Sequence, residues 1–566
     1  MNRKAYMGVS LALVFLAFAF LTGCSSGNSA PSGTTYVFYA TGQEVINDGP
    51  NLYTMTGAVT VDSAGDVLGG EEDYNDGLGI TDAPTPIAAS TGALTTDPTT
   101  GQGTLLLTVG DTNLGFGGVE TLTIQFVNTD HALITQFDGS ATSSGSFDLQ
   151  TATSGQGGNF AFTMSGVDTD YDPIALGGVI SVTSGAINGV FDVNDDGDIL
   201  TDQTLTTGAV STTDAFGRGT ITGTQLAGSL AYYSVGPEVV RFISDDADAS
   251  GIGTAFGQGT ATFTNASLGT ASTGATVFAV GGNPWGSISG MAGQFTTSNT
   301  GTDPANFTGV GEDNELENDV FTAPAATFAG TYSLQSSGIN GYGSMSVEEG
   351  FGDVATFGLY MTDPALNLSD PNNTSGGGGA LVIDLSGTEI LPGVSGVLIN
   401  QSDPANADFN GNYAVAWQDF NFYSDCSLCE FDMNSQGSVT AASGNALSFT
   451  GDVSDPFLTL NIEGGDGLYT GATFTGTPIA DSVNIGRYYM LEADENPLGA
   501  TIDGASGFFE TTIYQASAGQ LFWLNVVGVE EDDSGVFLGP LEQQGTLTGI
   551  PAVQKAAAKA PQTKKR

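Results

Sequence analysis

A strict alternation of apolar and polar residues constrains the fold of this chain more than any other feature. In the segment ETLTIQFVN at 120–128, Leu122, Ile124 and Phe126 alternate with threonine and glutamine. Because successive side chains of a β-strand point to opposite faces, this period predicts strands with one buried and one wet face. Such runs recur between Gly, Asp, Asn and Ser clusters, and no amphipathic helical run of useful length follows residue 24. The sequence therefore predicts an all-β protein.

Four related units follow one another along the chain. Their aromatic or apolar openings are YVFYATG from Tyr36, FAFTMSG from Phe160, VFAVGG from Val277 and YAVAWQ from Tyr413. Acidic, glycine-rich stretches come next: GGEEDYNDG at 69–77, NGVFDVNDDGD at 188–198, GVGEDNELEND at 309–319 and a degenerate FTGDVSD at 449–455. The turn segments TGALTTDPTTGQGT and TGAVSTTDAFGRGT are close enough to be homologous, and the units close on glycine and glutamine, as in GTAFGQG and GPLEQQG. We interpret the chain as four divergent copies of one domain.

Each unit is long enough to hold its own core, unlike the 20 to 50 residues of solenoid or propeller repeats. About 120 residues accommodate an antiparallel meander of roughly eight strands, which can close into a barrel and so remove its edges. A β-sandwich is the alternative. The predicted divisions are a signal peptide at 1–23, a flexible linker at 24–35, β-domains at 36–155, 156–275, 276–411 and 412–550, and a disordered basic tail at 551–566.

The first residues have the pattern of a signal for export to the cell envelope. Arg3 and Lys4 precede a twelve-residue apolar run, which ends in the sequence Leu-Thr-Gly-Cys at Cys24. That run is shorter than the roughly 20 residues that a membrane-spanning helix needs. The pattern resembles the signal peptide and lipobox of bacterial lipoproteins, which implies cleavage before Cys24 and lipid attached to it. Ser25 resembles the outer-membrane sorting pattern, so we expect a lipid-anchored protein facing the periplasm or the cell surface.

The four-unit layout also resembles that of tandem β-repeat envelope lipoproteins, and a single unit resembles a lipocalin-like or avidin-like meander. The second likeness rests on length and strand pattern and implies a barrel, but no function.

Charge narrows the class of partner. Between Cys24 and Lys555 the chain carries only Arg218, Arg241 and Arg487 against 62 acidic residues, a formal charge of −59. Nucleic acids and anionic membrane surfaces need positive patches on a protein, so the acidic body excludes nucleic-acid binding. The remaining cations lie in the tail PAVQKAAAKAPQTKKR, which we expect to be solvated.

One segment has the spacing of a cation-binding loop. In DVNDDGD, Asp192, Asn194, Asp196 and Asp198 alternate around a glycine turn, as in the start of an EF-hand loop for calcium. Gln203 stands where that loop would need its bidentate glutamate. A hairpin turn explains the same residues without metal, because Asp, Asn and Gly favour turn geometry. The sequence implies no other cofactor.

The remaining chemistry-bearing residues are few. Cys426 and Cys429 in CSLC are predicted to form a small-loop disulfide in an exported protein, with free thiols or a redox or metal role as alternatives. His131 is the single histidine, so a Ser-His-acid triad could use only this residue, and we expect a structural role for it. The three tryptophans, Trp285, Trp417 and Trp523, are expected in cores. No catalytic residue is assigned, and we expect no enzyme.

Three hypotheses of function follow. The first is a non-enzymatic envelope lipoprotein whose domains act as a structural, adhesive or binding array toward an envelope polymer or a cell-surface protein. The second is a carrier of small apolar ligands inside lipocalin-like barrels, which requires open, apolar interiors. The third is an exported hydrolase that uses paired carboxylates, none of which the sequence marks.

Overall fold

The structure is a computed structural model. It describes residues 31–44, 51–77, 84–110, 117–154, 156–168, 172–223, 228–246, 249–270, 274–281, 289–315, 326–334, 339–349, 355–373, 377–387, 393–402, 409–422, 430–441, 446–454, 468–491, 509–517, 519–528 and 536–551. Over these ranges the chain forms antiparallel strands and one 3-10 helix, Asn265–Ser267. The predicted all-β class is confirmed. None of the described segments forms a helix with the length and apolar character that a membrane crossing requires.

The strands group into four consecutive sheets, which we call barrels 1 to 4. Barrel 1 contains β1 (Thr34–Glu44), β2 (Asn51–Val61), β3 (Val67–Asn75), β4 (Thr85–Ile87), β5 (Leu94–Thr96), β6 (Gln102–Thr108), β7 (Val119–Phe126), β8 (His131–Gln136) and β9 (Ala141–Leu149). Barrel 2 contains β10 (Gly158–Val167), β11 (Pro173–Thr183), β12 (Ala186–Asp195), β13 (Asp198–Val210), β14 (Arg218–Thr222), β15 (Leu230–Gly236), β16 (Val239–Ser244) and β17 (Ser250–Gly257). Barrel 3 contains β18 (Thr276–Gly281), β19 (Ser289–Ser298), β20 (Ala305–Glu315), β21 (Ala326–Ser333), β22 (Tyr342–Glu349), β23 (Ala355–Met361), β24 (Gly379–Asp384) and β25 (Ser395–Asn400). Barrel 4 contains β26 (Gly411–Phe422), β27 (Glu430–Ala441), β28 (Leu447–Ser454), β29 (Leu468–Gly476), β30 (Ile479–Ala480), β31 (Arg487–Leu491), β32 (Phe509–Ser517), β33 (Gln520–Gly528) and β34 (Val536–Gln543).

Every barrel is an antiparallel meander whose first strand pairs with its last strand. Barrels 2 and 3 are closed and eight-stranded. In barrels 1 and 4 the sheet has nine strands and is open, between β4 and β5 and between β29 and β30. The prediction of barrel-like meanders is therefore confirmed for the four units, and the sandwich alternative is wrong.

The apolar residues form separate cores. Each barrel interior holds its own cluster, such as Leu122, Ile124 and Phe126 of β7 in barrel 1. One further large cluster draws residues from the outer faces of all four barrels. The sequence predicted a wet outer face for β7, but Thr123 and Gln125 on that face are 3% and 0% exposed. That expectation was wrong because a neighbouring barrel covers the face.

The barrels pack head to tail. Strands β1 to β3 of barrel 1 contact β15 to β17 of barrel 2. In the same way, β10 and β11 of barrel 2 contact β23 to β25 of barrel 3, and β18 to β20 of barrel 3 contact β32 to β34 of barrel 4. Strands β26 and β27 of barrel 4 then contact β7 to β9 of barrel 1. Because each barrel contacts the next and barrel 4 contacts barrel 1, the four barrels form a closed ring.

Candidate functional site

The contacts between barrels repeat around this ring, and they contain most of the buried charge of the molecule. At the first junction Asp73, on the outer face of β3, accepts bonds from barrel 2. The Arg218 guanidinium donates to both carboxylate oxygens at 2.6 and 2.7 Å, and the Tyr233 hydroxyl donates at 2.7 Å. Such charge-assisted, bidentate contacts fix the relative orientation of the two side chains as well as their distance. A single carboxylate thus joins barrel 1 to barrel 2.

The same contact recurs at the next two junctions. Asp192 of β12 accepts the hydroxyls of Tyr342 at 2.5 Å and Tyr360 at 2.7 Å from barrel 3. At the third junction, Glu312 of β20 accepts bonds from the Arg487 guanidinium and from the hydroxyl of a tyrosine, Tyr514, in barrel 4. In each case the two donors are directly opposite each other on paired strands. The third strand of each barrel therefore supplies one acid to the next barrel.

The ring closes through the fourth copy of this contact. Asp452 of β28 accepts a bond at 3.1 Å from the Gln102 side chain of barrel 1, and Gln102 is paired across the ladder with Gln125. These two glutamines occupy the position of the Arg and Tyr pairs elsewhere, and the Gln125 amide donates to the Thr100 carbonyl at 2.7 Å. We call the four acids, with the side chains that donate to them from the next barrel, the carboxylate locks.

A second set of contacts involves glutamines at the ends of the barrels. The glutamine that follows the last strand donates its side-chain amide to two backbone carbonyls of the next barrel. The pairs of acceptors are Phe216 and Ser234 for Gln150, Asn340 and Met361 for Gln258, Ile485 and Gln515 for Gln401, and Thr100 and Phe126 for Gln544. We call these contacts the glutamine locks. The last of them returns from barrel 4 to barrel 1.

A glycine in the left-handed region makes room for each glutamine amide. Gly217 and Gly341 have φ values of +83° and +77°, and a Cβ added there would lie 2.6 and 2.4 Å from the Gln150 and Gln258 amide nitrogens. Gly101 and Gly486 have the same conformation and the same neighbour. Glycine is required twice over, for the backbone conformation and for the close approach. The predicted repeat segments TTGQGT and AFGRGT contain this glycine directly before the donor residue of the carboxylate lock.

The third arginine belongs to a buried network between barrels 1, 2 and 4. Arg241 of β16 donates to Asp148 of β9 at 2.9 Å, and its guanidinium carbon lies 4.3 Å from the centre of the Tyr39 ring. The other oxygen of Asp148 lies 2.7 Å from Nδ1 of His131, whose Nε2 lies 3.5 Å from Glu542 of barrel 4. All three arginines between Cys24 and Lys555 therefore join one barrel to another.

Burial and neighbouring charge act in opposite directions on this network. Burial opposes the charged form of His131, but the negative charge of Glu542 and the contacts with Asp148 and Glu542 outweigh it and hold the pKa of His131 well above 6.5. For Asp148, burial raises the pKa, while Arg241 and His131 lower it by more, so that its pKa is lowered overall. A charged histidine is consistent with the predicted structural role of His131.

Four cavities bear on the hypotheses of function. The interiors of barrels 2 and 3 contain apolar spaces of about 60 and 20 Å³, well below the roughly 300–1,000 Å³ of ligand pockets. A polar space of about 300 Å³ lies between barrels 1, 3 and 4, with Asp370 and Glu542 among its walls. The largest of these four, of about 370 Å³, lies where the first strands of all four barrels converge. We call it the axial cavity.

Comparison with known proteins finds similar solved structures but no family. No protein family model matches the chain, and no curated protein matches it in sequence. Among solved structures, the chain is similar to two variants of the vaccine antigen transferrin binding protein B from Haemophilus parasuis Hp5, one a double mutant and one a single mutant. Each match has 10% identity and covers 89% of this chain and 94% of that chain, with TM-scores of 0.22 and 0.20. Scores this low carry no argument about fold or function.

The residues of the proposed calcium loop are divided between two tasks. Asp192 belongs to a carboxylate lock, and the Asn194 amide donates to a backbone carbonyl of barrel 3 at 3.1 Å. Asp196 and Gly197, with φ values of +46° and +86°, form the two-residue turn between β12 and β13. Over the described ranges, the structure contains no group of three or more His, Cys, Asp or Glu residues placed to hold a metal. Calcium binding by the four residues stays a prediction.

The other predicted residues have separate outcomes. Trp417 and Trp523 are 6% and 0% exposed and pack edge to face inside barrel 4, with ring centres 5.1 Å apart. Cys24, Cys426, Cys429 and Trp285 lie outside the described residues, so lipidation and the disulfide stay predictions. Sequence reasoning missed the locks, although Arg218, Arg487 and the terminal glutamines stood at matching places in the repeats.

The structure also brings together two carboxylates that the sequence did not mark. Glu72 of β3 and Glu120 of β7 are 0% and 1% exposed and contact each other in barrel 1, with Glu120 on the same strand face as the core residue Leu122. Burial raises the pKa of Glu120 to about 7, against a bond from Glu72 that lowers it. Near neutral pH, the folded state therefore favours a proton on this pair.

We expect Glu120→Gln to raise the melting temperature at about pH 8 and to have little effect at about pH 5. The folded pKa is raised, so the unfolded chain releases a proton above about pH 4.5 that the folded chain retains, and stability falls as the pH rises toward 7. Glutamine removes this cost, which is on the order of 3 kcal/mol. Thermal melts of both chains at the two pH values measure the difference. Asp198→Asn, at an exposed position, is the control, and an equal gain at both pH values would refute the explanation.

Proposed function

We propose that the protein is a lipid-anchored envelope protein whose four barrels form a rigid, non-catalytic binding scaffold. The observation that carries the proposal is the repetition of the locks at all four junctions. They hold the outer surfaces of the barrels at fixed relative positions, which a flexible string of domains would not do. Binding to several sites of one partner benefits from such fixed spacing, because the second contact is then made within the same complex.

Two observations favour this role over the alternatives. The single histidine is enclosed between Asp148 and Glu542, so it does not face a serine nucleophile. The small apolar spaces inside barrels 2 and 3 argue against the carrier hypothesis, which needs room for a ligand. The formal charge of −59 on the body favours neutral or cationic partners, such as an envelope polymer or a cell-surface protein.

The anchor is tested by Cys24→Ser in the full-length chain. We expect the native chain in the membrane fraction and the variant in the soluble fraction, because only the native chain has a thiol in the lipobox for the lipid. Cys426→Ser is the matched control, since it removes a thiol without touching the lipobox. Retention of Cys24→Ser in membranes after a salt wash would contradict the anchor.

A further inference from the structure

The axial cavity has uncharged walls although it lies at the centre of a strongly acidic molecule. None of the residues that line it is charged, although the body carries 62 acidic residues. The polar cavity between barrels 1, 3 and 4, by contrast, has both Asp370 and Glu542 in its walls. A ligand of the axial cavity therefore meets no charged side chain in the wall.

The cavity walls carry polar groups that have no internal partner. The side chains of Tyr39, Thr163, Ser165, Ser395 and Gln418 line the cavity. Within the described part of the chain, none of their hydroxyl or amide groups makes a hydrogen bond with another protein group. Thr163 is 8% exposed and lines the cavity, so its side chain is enclosed by the protein. Hydroxyl groups both donate and accept, and these groups come from all four barrels.

Apolar groups occupy the rest of the wall. Ile252, Val397, Phe522 and Leu538 also line the cavity. A wall with both apolar and hydroxyl-bearing residues suits a sugar ring, which presents C–H faces and an edge of hydroxyls. The volume of about 370 Å³ lies within the usual range of small-molecule pockets, roughly 300–1,000 Å³.

The inner end of the cavity is closed. Two residues before Tyr39, Thr163 and Ala279 on the first strands, three apolar residues belong to the buried cluster shared by the barrels, namely Val37, Ala161 and Val277. A loop of barrel 3, residues 363–373, adds Leu366 and Leu368 to the same cluster. The same loop reaches the opposite barrel, where Asp370 accepts the Asn128 amide at 2.8 Å. The cavity is therefore a pocket and not a passage through the ring.

From these observations we propose that the axial cavity binds a small, neutral, hydroxyl-rich molecule, with a saccharide unit as the ligand class. This inference names a ligand for the binding role proposed above, and it does not depend on the lipid anchor. The unpaired groups of Tyr39, Thr163, Ser165, Ser395 and Gln418 make the hydrogen bonds, and the apolar residues contact the C–H faces of the ring.

The test is calorimetric titration of the full-length chain in detergent with maltose and with cellobiose, at concentrations up to the millimolar range. We expect at least one of them to bind, and glucuronate, which is similar in its hydroxyl groups but anionic, to bind much more weakly. Gly281→Leu fills the cavity, since a Cβ at Gly281 meets only Leu538, at 3.4 Å. This variant is expected to abolish binding.

A second variant distinguishes specific binding from loss of the fold. Thr163→Val keeps the shape and removes one hydroxyl, and we expect it to weaken binding about fivefold, as for the loss of one hydrogen bond. Thr308→Val, at an exposed position on barrel 3, should bind like the native chain. Absence of binding by both neutral sugars, or equal binding by native and Gly281→Leu chains, would overturn the proposal. Fractionation of Cys24→Ser tests the anchor separately, so the two failures are distinguishable.

Discussion

Replacing Arg241 with methionine is expected to lower the free energy of unfolding by about 3–5 kcal/mol, the cost of breaking a buried ion pair from one side. The Arg241 side chain is 4% exposed and its partner Asp148 is 0% exposed. Without the guanidinium, the Asp148 carboxylate stays buried with His131 as its only cationic neighbour. Methionine keeps most of the apolar stem, so the change reports the charge and not a cavity. Equilibrium denaturation of both chains measures the loss.

The double variant Arg241→Met/Asp148→Asn is the control for this interpretation. It removes the uncompensated carboxylate, and we expect it to be more stable than Arg241→Met alone. A loss below about 1 kcal/mol in the single variant, the value of a surface ion pair, would mean that water reaches the network. The junction between barrels 1 and 2 would then be looser than described.

Gly341→Ala is expected to destabilise the junction between barrels 2 and 3 by about 3 kcal/mol. The φ of +77° strains any residue with a Cβ, at a cost of about 1 kcal/mol or more. The new Cβ would also lie 2.4 Å from the Gln258 amide nitrogen and 2.8 Å from the Phe263 ring. The amide must then leave the two carbonyls that it binds, those of Asn340 and Met361.

Gly92→Ala separates these two causes. Gly92 has a φ of +65°, yet a Cβ there has no atom within 4 Å. This variant therefore carries the backbone strain without the collision, and we expect it to lose about 1 kcal/mol. Denaturation midpoints of the two variants, measured side by side, give the contribution of the glutamine lock. Equal losses would show that the lock contributes nothing to stability.

Local sequence patterns predicted each barrel because strands and hairpin turns are determined by residues that are close in sequence. The alternation in β7 and the Asp-Gly turn at Asp196 depend on residues a few positions apart, and both are present in the structure. The contact between Asp192 and Tyr360 spans 168 residues, and no periodicity within one strand reports such a partner. The same acid and amide spacing therefore suggested a cation loop, whereas the structure uses Asp192 and Asn194 to join two barrels.

A sequence signal for the ring did exist. In all four units a glycine precedes the donor of the carboxylate lock, as in TGQG, FGRG, NGYG and IGRY. A glutamine follows the last strand of each unit, at Gln150, Gln258, Gln401 and Gln544. Within one unit, the glycine suggests only a turn, and the glutamine suggests only a polar residue at the end of a strand. Only their contact between successive units shows that they act as a pair.

The closed ring is tested most directly at the junction between barrels 4 and 1, which no peptide linker connects. A Cβ at Gly545 would lie 3.5 Å from the Cβ of Asn128, a separation that a disulfide allows. In the full-length Asn128→Cys/Gly545→Cys chain, we expect oxidation to join barrels 4 and 1 within one molecule. The product would be a monomer that migrates faster on a non-reducing gel and at the native position after reduction. Each single-cysteine chain controls for Cys426 and Cys429. A double variant that stays unlinked, or that links only between molecules, would contradict the ring.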